Sequence, residues 1–311
     1  MTGPEFQVLD DVVYGRVEQV TPMIRRVVAE NPSKFTYRGT GTYIVGHGRV
    51  AVIDPGPDLD SHRDALAAAL DGERVTAICV THCHNDHSPL AAWLRTETGA
   101  PAVAFGPHPP SDRDDAALAE EIAEGVKVEE AVDLAFDPDV RIVDGDVAAS
   151  GPGWTIDAVH TPGHTSNHTC FAFAEERVLF PGDHVMGWST TVVSPPDGDM
   201  AAYVDSLRKV AGRADRTYWP THGPCIAEPQ RYVDALVAHR LERERQIVDT
   251  LGVGVSDIPA IVARLYTEVA VELHKAAGRT VLAHLGKLVD DGVVRVAGGG
   301  RPRLASRFEL V

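Results

Sequence analysis

The stretch Thr81-His82-Cys83-His84-Asn85-Asp86-His87 places four metal-capable side chains within six positions. It follows the apolar run Val75–Val80 and precedes a helix-like segment, so it reads as a loop between a strand and a helix. Imidazole and carboxylate donors in an H-x-H-x-D-H spacing suit borderline cations such as Zn²⁺, and the number of donors is enough for two ions.

Three further candidates lie downstream. His164 sits in His160-Thr161-Pro162-Gly163-His164-Thr165, Asp183 in Phe180-Pro181-Gly182-Asp183-His184, and His222 in Pro220-Thr221-His222-Gly223. Each follows a short apolar run beside a Gly or Pro. Loops at strand ends are where α/β folds usually gather chemistry.

The elements that must position these loops follow an α/β pattern before Arg231. Strands are predicted at Thr42–Val45, Val50–Ile53, Val75–Val80, Ala102–Phe105, Thr155–Val159, Thr169–Phe173 and Val178–Phe180, the last two forming a hairpin around Glu175-Glu176. Helices are predicted from an Asp60-Ser61 cap to about Leu70, from Ser88-Pro89, over Asp199–Val210 and over Pro229–Asp249. In the last, Val233, Leu236, Val237, Leu241, Ile247 and Val248 should share the buried face. From about Ser256 the pattern changes to helices at Ile258–Val269 and Arg279–Asp290, then Val293–Val296, Gly298-Gly299-Gly300 and Leu304–Leu310. Helix, helix and a ribbon with a glycine-rich tip resemble a winged helix-turn-helix. Its second helix carries Asp290 and Asp291 with only Arg279 and Lys287, which favours packing or a lid over DNA reading. The expected division is 1–230 for a catalytic domain and 231–311 for a helical, winged-helix-like one.

Composition limits the partners. The net charge of −16 argues against a general basic surface for nucleic acid. The excess sits in the body: 12 Lys/Arg oppose 10 Asp/Glu from Arg231 onward, leaving 17 against 35 in residues 1–230. Four cysteines form no disulfide framework, the acidic start has no signal-peptide pattern, and no apolar run is long enough to span a membrane. A cytoplasmic address without membrane contact is expected. Oligomeric state is open, with a homodimer the common prior.

Together, Asp54, the H-x-H-x-D-H cluster, His164, Asp183 and His222 resemble, in order, the motifs of the metallo-β-lactamase superfamily. The resemblance implies a four-layer αββα sandwich with the winged-helix-like appendage. It puts His82, His84 and His164 on one metal and Asp86, His87 and His222 on a second, with Asp183 bridging. The implied cofactor is two Zn²⁺, with Fe or Mn as alternatives. Asp54, in Ile53-Asp54-Pro55-Gly56, takes the place of an acid that orients ligand-bearing loops. Two such ions about 3.5–4 Å apart share a water and convert it to a hydroxide nucleophile. Asp86 is then placed to steer that water and accept its proton.

Family branches differ at the bridging position. Lactamases with zinc at both sites usually have cysteine where Asp183 stands, so β-lactam hydrolysis is not expected as the main activity. Asp183 with His87 looks instead like the glyoxalase II, lactonase, thioesterase and phosphodiesterase branches, although the basic glutathione-binding residues of glyoxalase II find no match in this tail. The segment Asn31–Tyr43, the two downstream motifs and the tail resemble the branch named after beta-lactamase-like protein 2. Its members are similar to thioester hydrolases on one side and to single-stranded endoribonucleases on the other. Lys34, Phe35, Arg38 and Trp188 are the candidate contacts for RNA, and Trp188, Val192, Val193 and the Pro195-Pro196 turn the candidate lining for an acyl group. The −18 charge of the body weighs against RNA, so a small acyl ester, thioester or lactone is the expected substrate. RNA is the second candidate, and a non-catalytic binding protein the third.

Overall fold

The computed structural model describes residues 3–8, 11–109 and 131–311; residues 1–2, 9–10 and 110–130, all within the segment assigned to the catalytic domain, lie outside it. Two sheets face each other. The first runs in the order β1 (Val17–Thr21), β2 (Ile24–Val28), β3 (Gly41–His47), β4 (Arg49–Ile53), β5 (Arg74–Cys79), β6 (Ala102–Ala104) and β7 (Val140–Arg141). It is antiparallel up to β4 and parallel from β4 onward. The second runs β12 (Thr217–Tyr218), β11 (Val178–Phe180), β10 (Thr169–Phe173), β9 (Trp154–His160) and β8 (Val147–Gly151).

The burial pattern explains the layers. Every residue of β10 and β11 is buried, as expected for strands covered on both faces. Tyr43, Ile53, Trp154, Phe171, Phe173 and Phe180 fill the space between the sheets. The outer face of the first sheet carries Ile44, Val52 and Ile78 against Leu66 of α1 (Asp60–Ala69) and Leu90 and Leu94 of α2 (Leu90–Thr98). On the outer face of the second, Cys170, Ala172 and Leu179 meet Tyr203 and Leu207 of α3 (Met200–Ala211) and Val233 and Leu236 of α4 (Pro229–Gly252). The result is the αββα sandwich expected.

The appendage consists of α5 (Ile258–Leu265), α6 (His274–Asp290) and the antiparallel ribbon of β13 (Val294–Val296) and β14 (Phe308–Leu310). Its core joins Ile258, Ile261, Val281, Leu285 and Phe308 to Ile247 and Leu251 of α4. Helix α4 therefore serves two cores, with Val233 and Leu236 at one end and Ile247 and Leu251 at the other.

Several local expectations differ. Asp60 does not cap α1: the N-cap is Leu59, and Asp60 lies in the first turn, where its charge favours the positive helix end. Asp199, in contrast, does cap α3, accepting from the Ala202 N–H. On α4, Leu241 is 40% exposed while Arg240 is 3% exposed, because Val233, Leu236, Arg240, Ile247 and Leu251 recur at three-, four- and seven-residue intervals as one continuous buried stripe, and Leu241 lies off it. Helix α5 ends at Leu265 rather than Val269, and α6 begins at His274 rather than Arg279. Strands β1, β2, β7 and β8 were not expected.

Candidate metal centre

All seven predicted ligands meet at one end of the sandwich. The 82–87 loop leaves the C-terminal end of β5, His164 follows β9, Asp183 follows β11 and His222 follows β12. Strands β9, β11 and β12 share one direction, since β10 is antiparallel to both its neighbours and β11 is parallel to β12. The two sheets are tied together at this rim by Thr169 N–H donating to Thr81 C=O (2.9 Å) and Gly41 N–H to Thr221 C=O (2.8 Å). The 82–87 loop is pinned from outside by Asn85 N–H to Ala131 C=O (2.9 Å) and Asp133 N–H to Cys83 C=O (2.7 Å). At the turn carrying Asp183, Gly182 has φ 52, and a Cβ there would stand 2.9 Å from Thr81 and 2.7 Å from His168 Nε2.

The side chains form overlapping triads: His82, His84 and His164; His82, His87 and Asp183; and Asp86, His87 and His222. In the first, His84 Nδ1 lies 2.8 Å from His82 Nε2 and 3.2 Å from His164 Nε2. Around the other end, Asp86 Oδ2 lies 3.0 Å from His222 Nε2 and 3.6 Å from His87 Nε2. Asp183 stands between, its Oδ2 3.5 Å from His87 and 4.0 Å from His164, its Oδ1 3.4 Å from His222.

A layer of hydrogen bonds sets the ring tautomers. His164 Nδ1 faces the Val192 carbonyl at 2.7 Å and His222 Nδ1 faces the Gly39 carbonyl at 3.2 Å. A carbonyl only accepts, so each Nδ1 carries a proton and each Nε2 is the atom turned to the centre. Asp54 does the same for His87, with Oδ2 2.9 Å from Nδ1. The same carboxylate accepts from Thr81 N–H (2.8 Å), Thr81 Oγ1 (2.9 Å) and Thr221 Oγ1 (2.9 Å). With its proton committed to Asp54, the Thr81 hydroxyl can only accept from His82 Nδ1, 3.1 Å away. Asp54 is wholly buried and holds φ 49, a strained region that Asp tolerates better than most residues.

The electrostatics divide the centre. Burial, reinforced by neighbouring imidazoles, holds His82 far below the usual histidine range and His84 down to about 3. At the other end burial again opposes protonation, but carboxylates outweigh it: Asp86, Asp183 and Asp54 raise His87, and Asp183 and Asp86 lift His222 to about 10. Burial would push Asp183 up, yet His222 and His87 hold it well below the usual carboxylate range. These residues fit divalent cations. Neutral nitrogen lone pairs converge at one end, buried carboxylates demand positive charge at the other, and His87 Nε2 and Asp183 Oδ1 have no hydrogen-bond partner among the described residues.

The predicted substrate contacts divide. Trp188 stacks on Tyr37 with ring centroids 4.8 Å apart, and it rests against Gly223, the residue after His222, where a Cβ would stand 2.6 Å from its Cδ1. Lys34 and Phe35 meet one another, the ammonium 5.3 Å from the ring centroid. Tyr37, Thr81, Thr221 and the carbonyls of Gly39 and Val192 were missed as contributors. Only Thr81 and Thr221 carried any signal, each standing next to a ligand in sequence. Cys83 points away, accepting from Asn167 Nδ2 at 2.9 Å.

Residues 37–222 match the metallo-beta-lactamase superfamily, and residues 258–301 match the beta-lactamase associated winged helix domain. The beta-lactamase-like protein 2 homolog of Caenorhabditis elegans is 30% identical, over 89% of this chain and 88% of its own. The atrochrysone carboxyl ACP thioesterase of Cryptosporiopsis sp. is 31% identical over 76% of this chain, which spans 65% of that relative's length. A metallo-beta-lactamase family protein from Thermus thermophilus superposes with a TM-score of 0.73 at 22% identity, covering 94% of this chain and all of its own. A beta-lactamase domain protein from Burkholderia ambifaria gives 0.77 at 21%, covering 97% and 96%.

Proposed function

The chain belongs to the metallo-beta-lactamase superfamily, and from that premise we propose that it is a metal-dependent hydrolase working with two metal ions on a thioester or related acyl ester or lactone. The observation that carries the two-metal reading is the overlap of the triads, with Asp183 in reach of both ends. His82, His84 and His164 would hold one ion, Asp86, His87 and His222 the other, and Asp183 both. Zinc is the first choice for this set of nitrogen and oxygen donors, with iron or manganese as alternatives. When bound, the cations supply Lewis acidity and make a water acidic enough to ionise near neutral pH.

The chain's own residues supply the rest. Asp86, with 22% of its side chain exposed, is the cluster's most accessible carboxylate and is placed to receive the proton of the attacking water. The water oxygen bonds the acyl carbon, the C–S or C–O bond breaks, and the proton passes to the departing thiol or alcohol. Trp188 and Tyr37 form an apolar wall beside His222 against which an acyl group can lie. The thioester preference is supported by the thioesterase name carried by a relative at 31% identity.

The test is metal counting together with a substrate panel of acyl-thioesters, lactones and single-stranded RNA. Two equivalents of metal per chain and thioester cleavage that disappears in His82→Ala are expected. Cleavage of RNA alone, abolished by the same substitution and weakening steeply with salt, would overturn the acyl reading. A stoichiometry of one would overturn the two-metal reading.

A further inference from the structure

Two of the seven proposed ligands lean on one irregular segment. Between β11 and α3 the chain has no regular element. Within it Thr191 Oγ1 donates to the Asp183 carbonyl (2.6 Å) and the His184 carbonyl (3.2 Å), and the Val192 carbonyl accepts from His164 Nδ1 (2.7 Å). A loop without ladder hydrogen bonds does not hold such positions unaided. What holds it comes from the far side of the second sheet: Arg240 of α4 donates through Nη2 to the Thr191 carbonyl.

Arg240 is an unusual residue to bury. Among the described residues its Nε has no hydrogen-bond partner and the Thr191 carbonyl is its acceptor, and its guanidinium carbon lies 5.1 Å from the Tyr203 ring centroid. The Tyr203 hydroxyl donates to the His184 carbonyl at 2.9 Å, so both groups touching Arg240 also brace the Asp183–His184 turn. Desolvating a guanidinium costs several kcal/mol unless its contacts offset it. An apolar side chain of similar length would fill the space between α3 and α4 without that cost. A guanidinium N–H aimed at one backbone carbonyl is what packing alone does not require.

We infer that Arg240 is a positioning residue for the metal centre: by clamping the Thr191 carbonyl it fixes the loop that orients Asp183 and His164. This rests on the reading of those residues as metal ligands. It also makes α4, which the winged-helix core shares through Ile247 and Leu251, a structural part of the catalytic site.

The experiment compares wild type with Arg240→Met, Arg240→Lys and Thr191→Val. Zinc affinity is read by competition with a chromophoric chelator, folding by circular dichroism and thermal melting, and turnover by kcat and KM separately. Arg240→Met is expected to lower zinc affinity about 10–100-fold and to reduce kcat more than it changes KM. Arg240→Lys should restore most of the affinity, Thr191→Val should reproduce the fall, and combining Thr191→Val with Arg240→Met should add little. A folded Arg240→Met that melts earlier but binds zinc as wild type does overturns the inference. If Arg240→Met does not fold, wild-type affinity in Thr191→Val overturns it instead. Wild-type protein that takes up no zinc overturns the metal-centre reading and this inference together, whereas tight wild-type binding matched by every variant overturns this inference alone.

Discussion

Asp54 has no place among the seven side chains of the centre, yet it accepts four hydrogen bonds there, and it gives the cleanest residue-scale prediction. Asparagine tolerates the backbone at φ 49 and matches the shape, so Asp54→Asn isolates the chemistry. Its amide cannot accept from Thr81, Thr221 and His87 together and carries no charge to hold His87. We expect zinc affinity to fall about 10–100-fold with the secondary structure intact, read by chelator competition and circular dichroism; unchanged affinity would refute the orienting role. The contrast with the ligands shows what a sequence displays. Histidines and aspartates at telling intervals announce themselves. The carbonyls of Gly39 and Val192 do not, because every residue has a carbonyl and only the fold decides which one meets an imidazole. Trp188 was legible as an aromatic near the motif, while its partner Tyr37 lies far off in sequence and gave no separate signal.

Among the elements, α1 is docked by a polar contact as well as an apolar one. His62 lies on its buried face with Leu66 and Ala69, and His62 Nε2 sits 2.9 Å from Thr42 Oγ1, whose own proton goes to the Asp54 carbonyl at 2.7 Å. Burial lowers His62 to about 4, against about 6.5 in an unfolded chain. Between those values the unfolded state binds the extra proton. The stability is therefore complete above about pH 6.5 and is lost as pH falls toward 4, by roughly 3 kcal/mol in all. Urea melts at pH 7 and pH 5 should show the loss in wild type and a smaller one in His62→Gln; equal losses would contradict the assignment. Element legibility followed burial. Strands β10 and β11 are apolar throughout and could be read directly. Strand β2 carries Arg25 and Arg26 in its middle, and Arg26 is buried only because Glu18 pairs with it at 2.7 Å, a partner no local pattern reveals. Strand β8, Val-Ala-Ala-Ser-Gly, offers small residues and a glycine. Helix α6 extends through Gly278, normally an unfavourable interior residue, where Ile258 packs close to the bare backbone.

At the scale of the molecule, the appendage is bound into the sandwich. Ala283 of α6 lies in the core beneath the second sheet, and α4 spans both cores. Ending the chain at Val255 would expose Ile247 and Leu251, a loss of about 3–6 kcal/mol at about 1.5–3 kcal/mol per side chain. The truncated protein should melt on the order of 10 °C lower and aggregate; a truncation melting with the full chain would show the two parts to be independent. The general plan, sandwich plus winged helix, was visible in the order of the elements, but their fusion through one long helix was not, since the buried stripe of α4 runs on unbroken and nothing local marks where one core gives way to the other. The same double use of parts reaches the mouth of the centre. The stretch with Tyr37 also supplies the Gly39 carbonyl that orients His222, and the stretch with Trp188 supplies the Val192 carbonyl that orients His164. Under the proposed function, selectivity and metal retention share a scaffold, so a substitution that reshapes either loop for a new substrate would also change the orientation of a ligand imidazole and with it the hold on the metal.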